Sequence, residues 1–255
     1  IHSLSWLGEK VWPVRGWIDD DFKKLKDGEK VLTKGIIFYT DNQLNTKIAH
    51  KVQKQLNSMR LPIVSTSLKP MPHFGQNIYM PLERGYLTMF KQQLAALEAS
   101  TADIVFFCEH DVLYHKSHFD FIPPKRDTFY YNTNVWKLRD DGMALWVDNC
   151  RQVSGLCGYR EELIKHYKER VEIVEKIGYN NNMGFEPGTH DRVNFKNKYL
   201  SESRMSEFPN VDIRHDKNLT PNRWSPDLFR NKKNCQGWTE SYELPGWGNT
   251  KDILK

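Results

Sequence analysis

An acidic-imidazole triplet, Glu109-His110-Asp111, directly follows the most strand-like run in the chain, Ile104-Val105-Phe106-Phe107-Cys108. A buried strand ending in carboxylates is a common seat for a divalent cation against a phosphate, and oxygen ligands suit Mg²⁺ and Mn²⁺. An open α/β sheet also places its ligand crevice outside the carboxyl ends of its strands. Asp111 is the first candidate ligand and Glu109 the second, directly or through water; the competing reading makes Asp111 a turn residue. His110 is expected to face away, because neighbours on a strand point to opposite sides. His215, closing Val211-Asp212-Ile213-Arg214-His215, is the candidate distant ligand. A lone imidazole is more often a hydrogen-bonded structural group.

Glu186 sits in a Gly/Pro-shaped loop, Gly184-Phe185-Glu186-Pro187-Gly188, with His190 and Asp191 just beyond. Such a carboxylate can take a proton from an acceptor hydroxyl, with Asp191 as the substitute base, or it can cap the turn that follows. Thr40, Asp41 and Asn42 end the first strand-like run, where a base and ribose bind in open α/β folds; a turn role is equally open. Ser154-Gly155-Leu156-Cys157-Gly158 has neither the P-loop nor the dinucleotide glycine spacing. Its glycines suit a tight turn or close backbone approach to a ligand. Towards the carboxyl end, Arg214, Lys217, Arg223, Arg230, Lys232 and Lys233 interleave with Trp224, Phe229 and Trp238. That mixture can stack on and neutralise nucleic acid, although a solvated charged face is the commoner explanation.

The elements that must position these groups follow from periodicity. Gly35 to Asn42 is a buried strand ending in a polar turn, and Leu44, Ile48, Val52 and Leu56 form the stripe of a helix. Pro62 to Leu68 is a second strand, running into a Pro/Gly-rich loop from Lys69 to Gln76. A second helix is expected to carry Leu82, Tyr86, Met89, Phe90, Leu94 and Leu97, leading to the strand before Glu109. Strand and helix alternate up to this point, which predicts a parallel sheet with helices on its faces. Beyond it, Phe129–Trp136 and Met143–Asp148 are expected as two strands joined by the turn Asp140-Asp141-Gly142. A helix carrying Leu163, Ile164, Tyr167, Val171 and Val174 follows, and after Asn194 only Val211–His215 looks strand-like.

With 255 residues, 39% hydrophobic and 13% aromatic, the chain can bury one large α/β domain or two small ones. No apolar run reaches the roughly 18 residues of a spanning helix, and mean hydropathy is -0.68. The four cysteines lie far apart without a C-x-x-C pair, which favours thiols in a reducing cytoplasm over a disulfide framework. A net charge of +5 is compatible with an anionic substrate.

Together these motifs resemble the metal-dependent glycosyltransferases of the GT-A fold, over roughly residues 33–216. The resemblance implies a Rossmann-related central sheet flanked by helices, with residues 33–120 as the nucleotide-binding half and 121–216 as the acceptor half. Residues 217–255 would form an irregular basic extension of the same domain. It implies a nucleoside-diphosphate sugar donor, UDP-linked, an acceptor hydroxyl, and Mn²⁺ or Mg²⁺. The family's D-x-D motif maps onto Glu109-His110-Asp111 with Glu for the first Asp, its downstream metal-binding His onto His215, and its catalytic acidic loop onto Glu186. The stretch from Cys108 to Trp136 also resembles glycosyltransferase-like proteins of bacteriophage genomes, which implies a hydroxymethylated pyrimidine in DNA as acceptor. A glycan acceptor, a sugar-phosphate nucleotidyltransferase, and a binding module without turnover are the rival readings. Inversion and retention stay equally open.

Overall fold

The computed structural model describes residues 31–148, 150–180, 183–191, 196–217, 222–228, 237–253 and 255. Thr33–Lys255 form one compact unit, while a second unit, Ile1–Leu32, lies almost wholly outside the described residues. In chain order the elements begin β1 (Lys34–Thr40), α1 (Thr46–Ser58), β2 (Ile63–Ser67), β3 (Gln76–Tyr79), α2 (Tyr86–Ala99), β4 (Ile104–Glu109) and β5 (Val112–Leu113). They continue β6 (Thr128–Asn132), β7 (Val135–Leu138), β8 (Ala144–Trp146), β9 (Leu156–Tyr159), α3 (Arg160–Ile177), β10 (Leu200–Arg204) and β11 (Asn210–Ile213). β12 (Thr239–Ser241), β13 (Glu243–Leu244) and β14 (Gly248–Asn249) complete the chain.

The main sheet has seven strands in the order β10-β6-β9-β4-β1-β2-β3. β4, β1, β2 and β3 run parallel, whereas β9 is antiparallel to both its neighbours. Period-two alternation sorts the faces. Ile37, Tyr39, Val105 and Phe107 belong to a core shared with Phe90 and Leu97 of α2 and with Leu163 and Tyr167 of α3. On the other face Phe38 meets Phe74, and Phe106 meets His118 and Phe119. A smaller sheet, β12-β8-β7-β11-β5, adjoins the main one. The expected α/β class, a central sheet flanked by helices, holds.

Several boundaries differ from expectation for physical reasons. The run Phe129–Trp136 is two strands, β6 in the large sheet and β7 in the small one. The break is an Asn turn: Asn132 Oδ1 accepts the N–H of Asn134 at 3.1 Å and of Ser206 at 3.0 Å, diverting the chain between sheets. Leu82 lies outside α2 and is 41% exposed. β3 and β10, edge strands with little buried apolar surface, fall where loops were expected. Ser154-Gly155-Leu156-Cys157-Gly158 runs from a short 3-10 turn into β9, and its Cys157 is buried. The β7–β8 hairpin around Gly142, at φ +87°, is as predicted. Phe229, Arg230, Lys232, Lys233 and Cys235 lie outside the described residues.

Candidate functional site: a cation cluster in a mixed-charge cleft

Strand register brings the predicted groups together. β4 ends at Glu109, and within two residues the chain enters β5, which pairs antiparallel with β11 as Leu113↔Val211 and Val112↔Asp212. The Ile213 N–H donates to the Asp111 carbonyl at 2.8 Å, extending that ladder towards His215. Ligand atoms of His110, Asp111 and His215 consequently lie within 4.8 Å of one another. His215 Nε2 stands 3.2 Å from Asp111 Oδ2. His110 Nδ1 is bonded to Thr40 Oγ1 at 2.7 Å, so Nε2 is the nitrogen a cation would take.

The position of His110 reverses the sequence expectation. Strand alternation ends at Glu109, and the turn that follows swings the imidazole into the cluster. Glu109 is placed elsewhere: its carboxyl accepts the Tyr39 hydroxyl at 2.5 Å, outside the three-residue group. Burial, with the charge of Asp111 adding to it, pushes Glu109 up to about 8, against the Tyr39 hydrogen bond, which lowers it. Asp111 is also desolvated, which raises its pKa, but the His215 hydrogen bond and the neighbouring His110, His215 and Arg214 charges pull it below the ordinary carboxylate value. One carboxylate with two imidazoles is a donor set that could hold a divalent cation accepting mixed nitrogen and oxygen ligands.

The cluster opens into a cleft of about 440 Å³. Asp41 lines it, paired with Arg84 Nε at 2.6 Å, and Arg84 Nη2 donates to the Lys217 carbonyl at 2.8 Å across the rim. Thr40 lines it as well, whereas Asn42 serves the backbone: its Oδ1 accepts the N–H groups of Leu68 and Lys69 at 2.8 and 2.9 Å. Glu186 lines the cleft, and its backbone carbonyl accepts from the Thr189 N–H and hydroxyl. Asp191 lies outside the lining, exposed, accepting the Asn197 N–H at 2.8 Å.

Sequence reading missed Asp212 and took Arg214 only as part of a basic tail; both line the cleft, with side chains 3.5 Å apart. Burial is the main cause of a raised Asp212 pKa, which Arg214 opposes and Asp111 reinforces. Their signal was available: alternation along the strand-like run from Val211 to His215 puts residues 212 and 214 on one side, opposite Val211 and Ile213. Gln93, Tyr167 and Arg170 in the same lining were masked by a helical stripe that reads as core.

No family model and no curated protein matches this chain. Among solved structures, it is similar to the bifunctional IspDF from Campylobacter jejuni at 17% identity and a TM-score of 0.41, covering 69% of this chain and 50% of that one. It is similar to the apo-form glycosyltransferase GlyE of Streptococcus pneumoniae TIGR4 at 13% identity and a TM-score of 0.38, covering 67% and 45%. A glycosyltransferase involved in glycosylation of the major capsid of PBCV-1 aligns at 11% identity and a TM-score of 0.41, covering 67% and 82%. The chain thus spans about half the length of the first two. Among the described residues no helix is long and apolar enough to cross a membrane.

Proposed function

We propose that this chain is a glycosyltransferase that uses a nucleoside-diphosphate sugar, UDP-linked, with Mn²⁺ as its cation. The observation that carries the reading is the His110-Asp111-His215 cluster at the carboxyl end of β4, opening into a cleft with Arg84, Arg214 and Lys217. A cation bound there would supply Lewis-acid stabilisation of the departing diphosphate. The three side chains would hold it, with Thr40 fixing the His110 ring. Arg84, Arg214 and Lys217 offer positive charge to phosphate oxygens. Asp41, at the end of β1, faces the ribose or base edge. If the reaction inverts, Glu186 takes the proton of the acceptor hydroxyl; if it retains, Glu186 only positions substrate.

A hydroxymethylated pyrimidine in DNA is the proposed acceptor, on the strength of the basic aromatic tail, of which Arg223 and Trp224 line the cleft. The test is nucleotide release from a panel of nucleotide sugars with Mn²⁺, with and without chelator. Release that stops with chelator and returns with Mn²⁺ is expected. No release from any donor would defeat the reading, and pyrophosphate release from a nucleoside triphosphate with a sugar phosphate would place the chain among nucleotidyltransferases. Equal labelling of modified and plain DNA would remove the DNA acceptor alone.

A further inference from the structure

One wall of the cleft is built by facing helices, with Gln93 from α2 and Tyr167 from α3. Gln93 is 1% exposed and Tyr167 fully buried, yet among the described residues neither amide atom of Gln93 nor the Tyr167 hydroxyl has a partner at hydrogen-bonding distance. The Tyr39 hydroxyl, which donates to Glu109 at 2.5 Å, interacts with the Gln93 side chain from beyond hydrogen-bonding distance. Buried polar groups without partners destabilise a fold, and Leu and Phe would fill these two helical positions without that cost. Their retention in the lining of a cleft points to a ligand that supplies the missing partners.

The surroundings define what that ligand is. The Arg170 guanidinium lies 5.0 Å from the Phe90 ring centroid and 4.3 Å from that of Phe185, and all three line the same cleft with Glu186. Gln93 and Tyr167 are neutral and can each donate and accept, which matches hydroxyl groups rather than phosphate. We infer that Gln93 and Tyr167 form a subsite reading the hydroxyls of the transferred glycosyl unit; this rests on the donor reading above. A hydroxyl held by groups of this kind is discriminated strongly, because an analogue lacking it leaves them unpaired.

Titration calorimetry on the full chain with Mn²⁺ tests the inference, using UDP, UDP-glucose, UDP-galactose and UDP-N-acetylglucosamine as probes. Gln93→Leu and Tyr167→Phe should each weaken the tightest UDP-sugar by about tenfold, the value of one lost buried hydrogen bond to ligand. Affinity for UDP itself should stay within about twofold. A UDP-sugar weakened no more than UDP overturns the subsite while leaving the donor reading in place. If the wild-type protein binds neither UDP nor any UDP-sugar, the donor reading fails and the subsite falls with it. Thermal unfolding without ligand is the second measurement. Both variants should unfold at the wild-type temperature or a few degrees above it, since they delete only unpartnered atoms. A fall of more than about 5 °C would assign Gln93 and Tyr167 a structural role and overturn the inference.

Discussion

Replacing Asp111 with Asn removes the carboxylate of the cation cluster while keeping the shape of the side chain. Two unit charges 4 Å apart at an effective dielectric of about 20 interact by about 4 kcal/mol, so a divalent cation beside one carboxylate gains about 8 kcal/mol. That distance is within the 4.8 Å that encloses the donor atoms. The Asn oxygen remains as a neutral ligand and water recovers much of the rest. A net loss of about one third, or about 2.7 kcal/mol, is therefore expected, which is about 100-fold in Kd. Folding should survive, because Asn can still accept the contact that His215 makes at 3.2 Å. Mn²⁺ titration followed by electron paramagnetic resonance of the free ion reads the affinity, and circular dichroism reads the fold. Mn²⁺ binding within about threefold of wild type, by a folded variant, would refute the assignment of Asp111 as the charged ligand.

Three further outcomes are expected. A methyl group at Gly155 would stand 2.5 Å from the Asn132 carbonyl oxygen, on a buried strand that cannot retreat, so Gly155→Ala should cost about 2 kcal/mol and roughly 4–8 °C in Tm. Gly85→Ala, with nothing within 4 Å, is the control, and equal melting of the two variants would contradict the packing argument. Burial, with Arg204 adding to it, holds His118 well below its ordinary value of 6.5, so its neutral form stabilises the protein above that pH and the benefit is lost as pH falls. Between pH 7.5 and 5.5 wild type should lose about 1.4 kcal/mol more than His118→Asn by denaturant titration, and parallel losses would negate the assignment. Finally, Glu186→Gln should cut transfer to an acceptor by roughly 100-fold or more if Glu186 is the base, whereas Asp191→Asn, outside the cleft, should change it less than twofold. The reverse ranking would move the proton transfer to Asp191.

Much of the first half was legible because each signal was local. β1, β2 and β4 announce themselves as apolar runs, and the strand-end position of Asp111 follows directly from β4. His215 was legible as a residue after a short strand, but its meeting with Asp111 depends on the β5–β11 register, a pairing across nearly 100 residues that no window of sequence displays. Glu109 looked like a ligand because residue type and spacing carry no information about desolvation; its carboxyl meets Tyr39 instead. β9 was hidden for a different reason. A strand inserted antiparallel between β4 and β6 is buried on both faces, so it shows no alternation, and its small residues resemble a turn.

The chain leaves the large sheet at Glu109 and joins the small one at Val112, so His110 and Asp111 occupy the crease between two layers. His215 arrives from the small layer alone. The layers are also pinned through Asn132 of β6 and Asn210 of β11, both 3.0 Å from the same His118 nitrogen. Any slip at that buried pin changes the spacing of the donors at the crease. If the cluster takes up a cation as proposed, that uptake would act as a strain gauge for the protein's interior, and damage to the pin would register as weakened chelation while the secondary structure still looked intact.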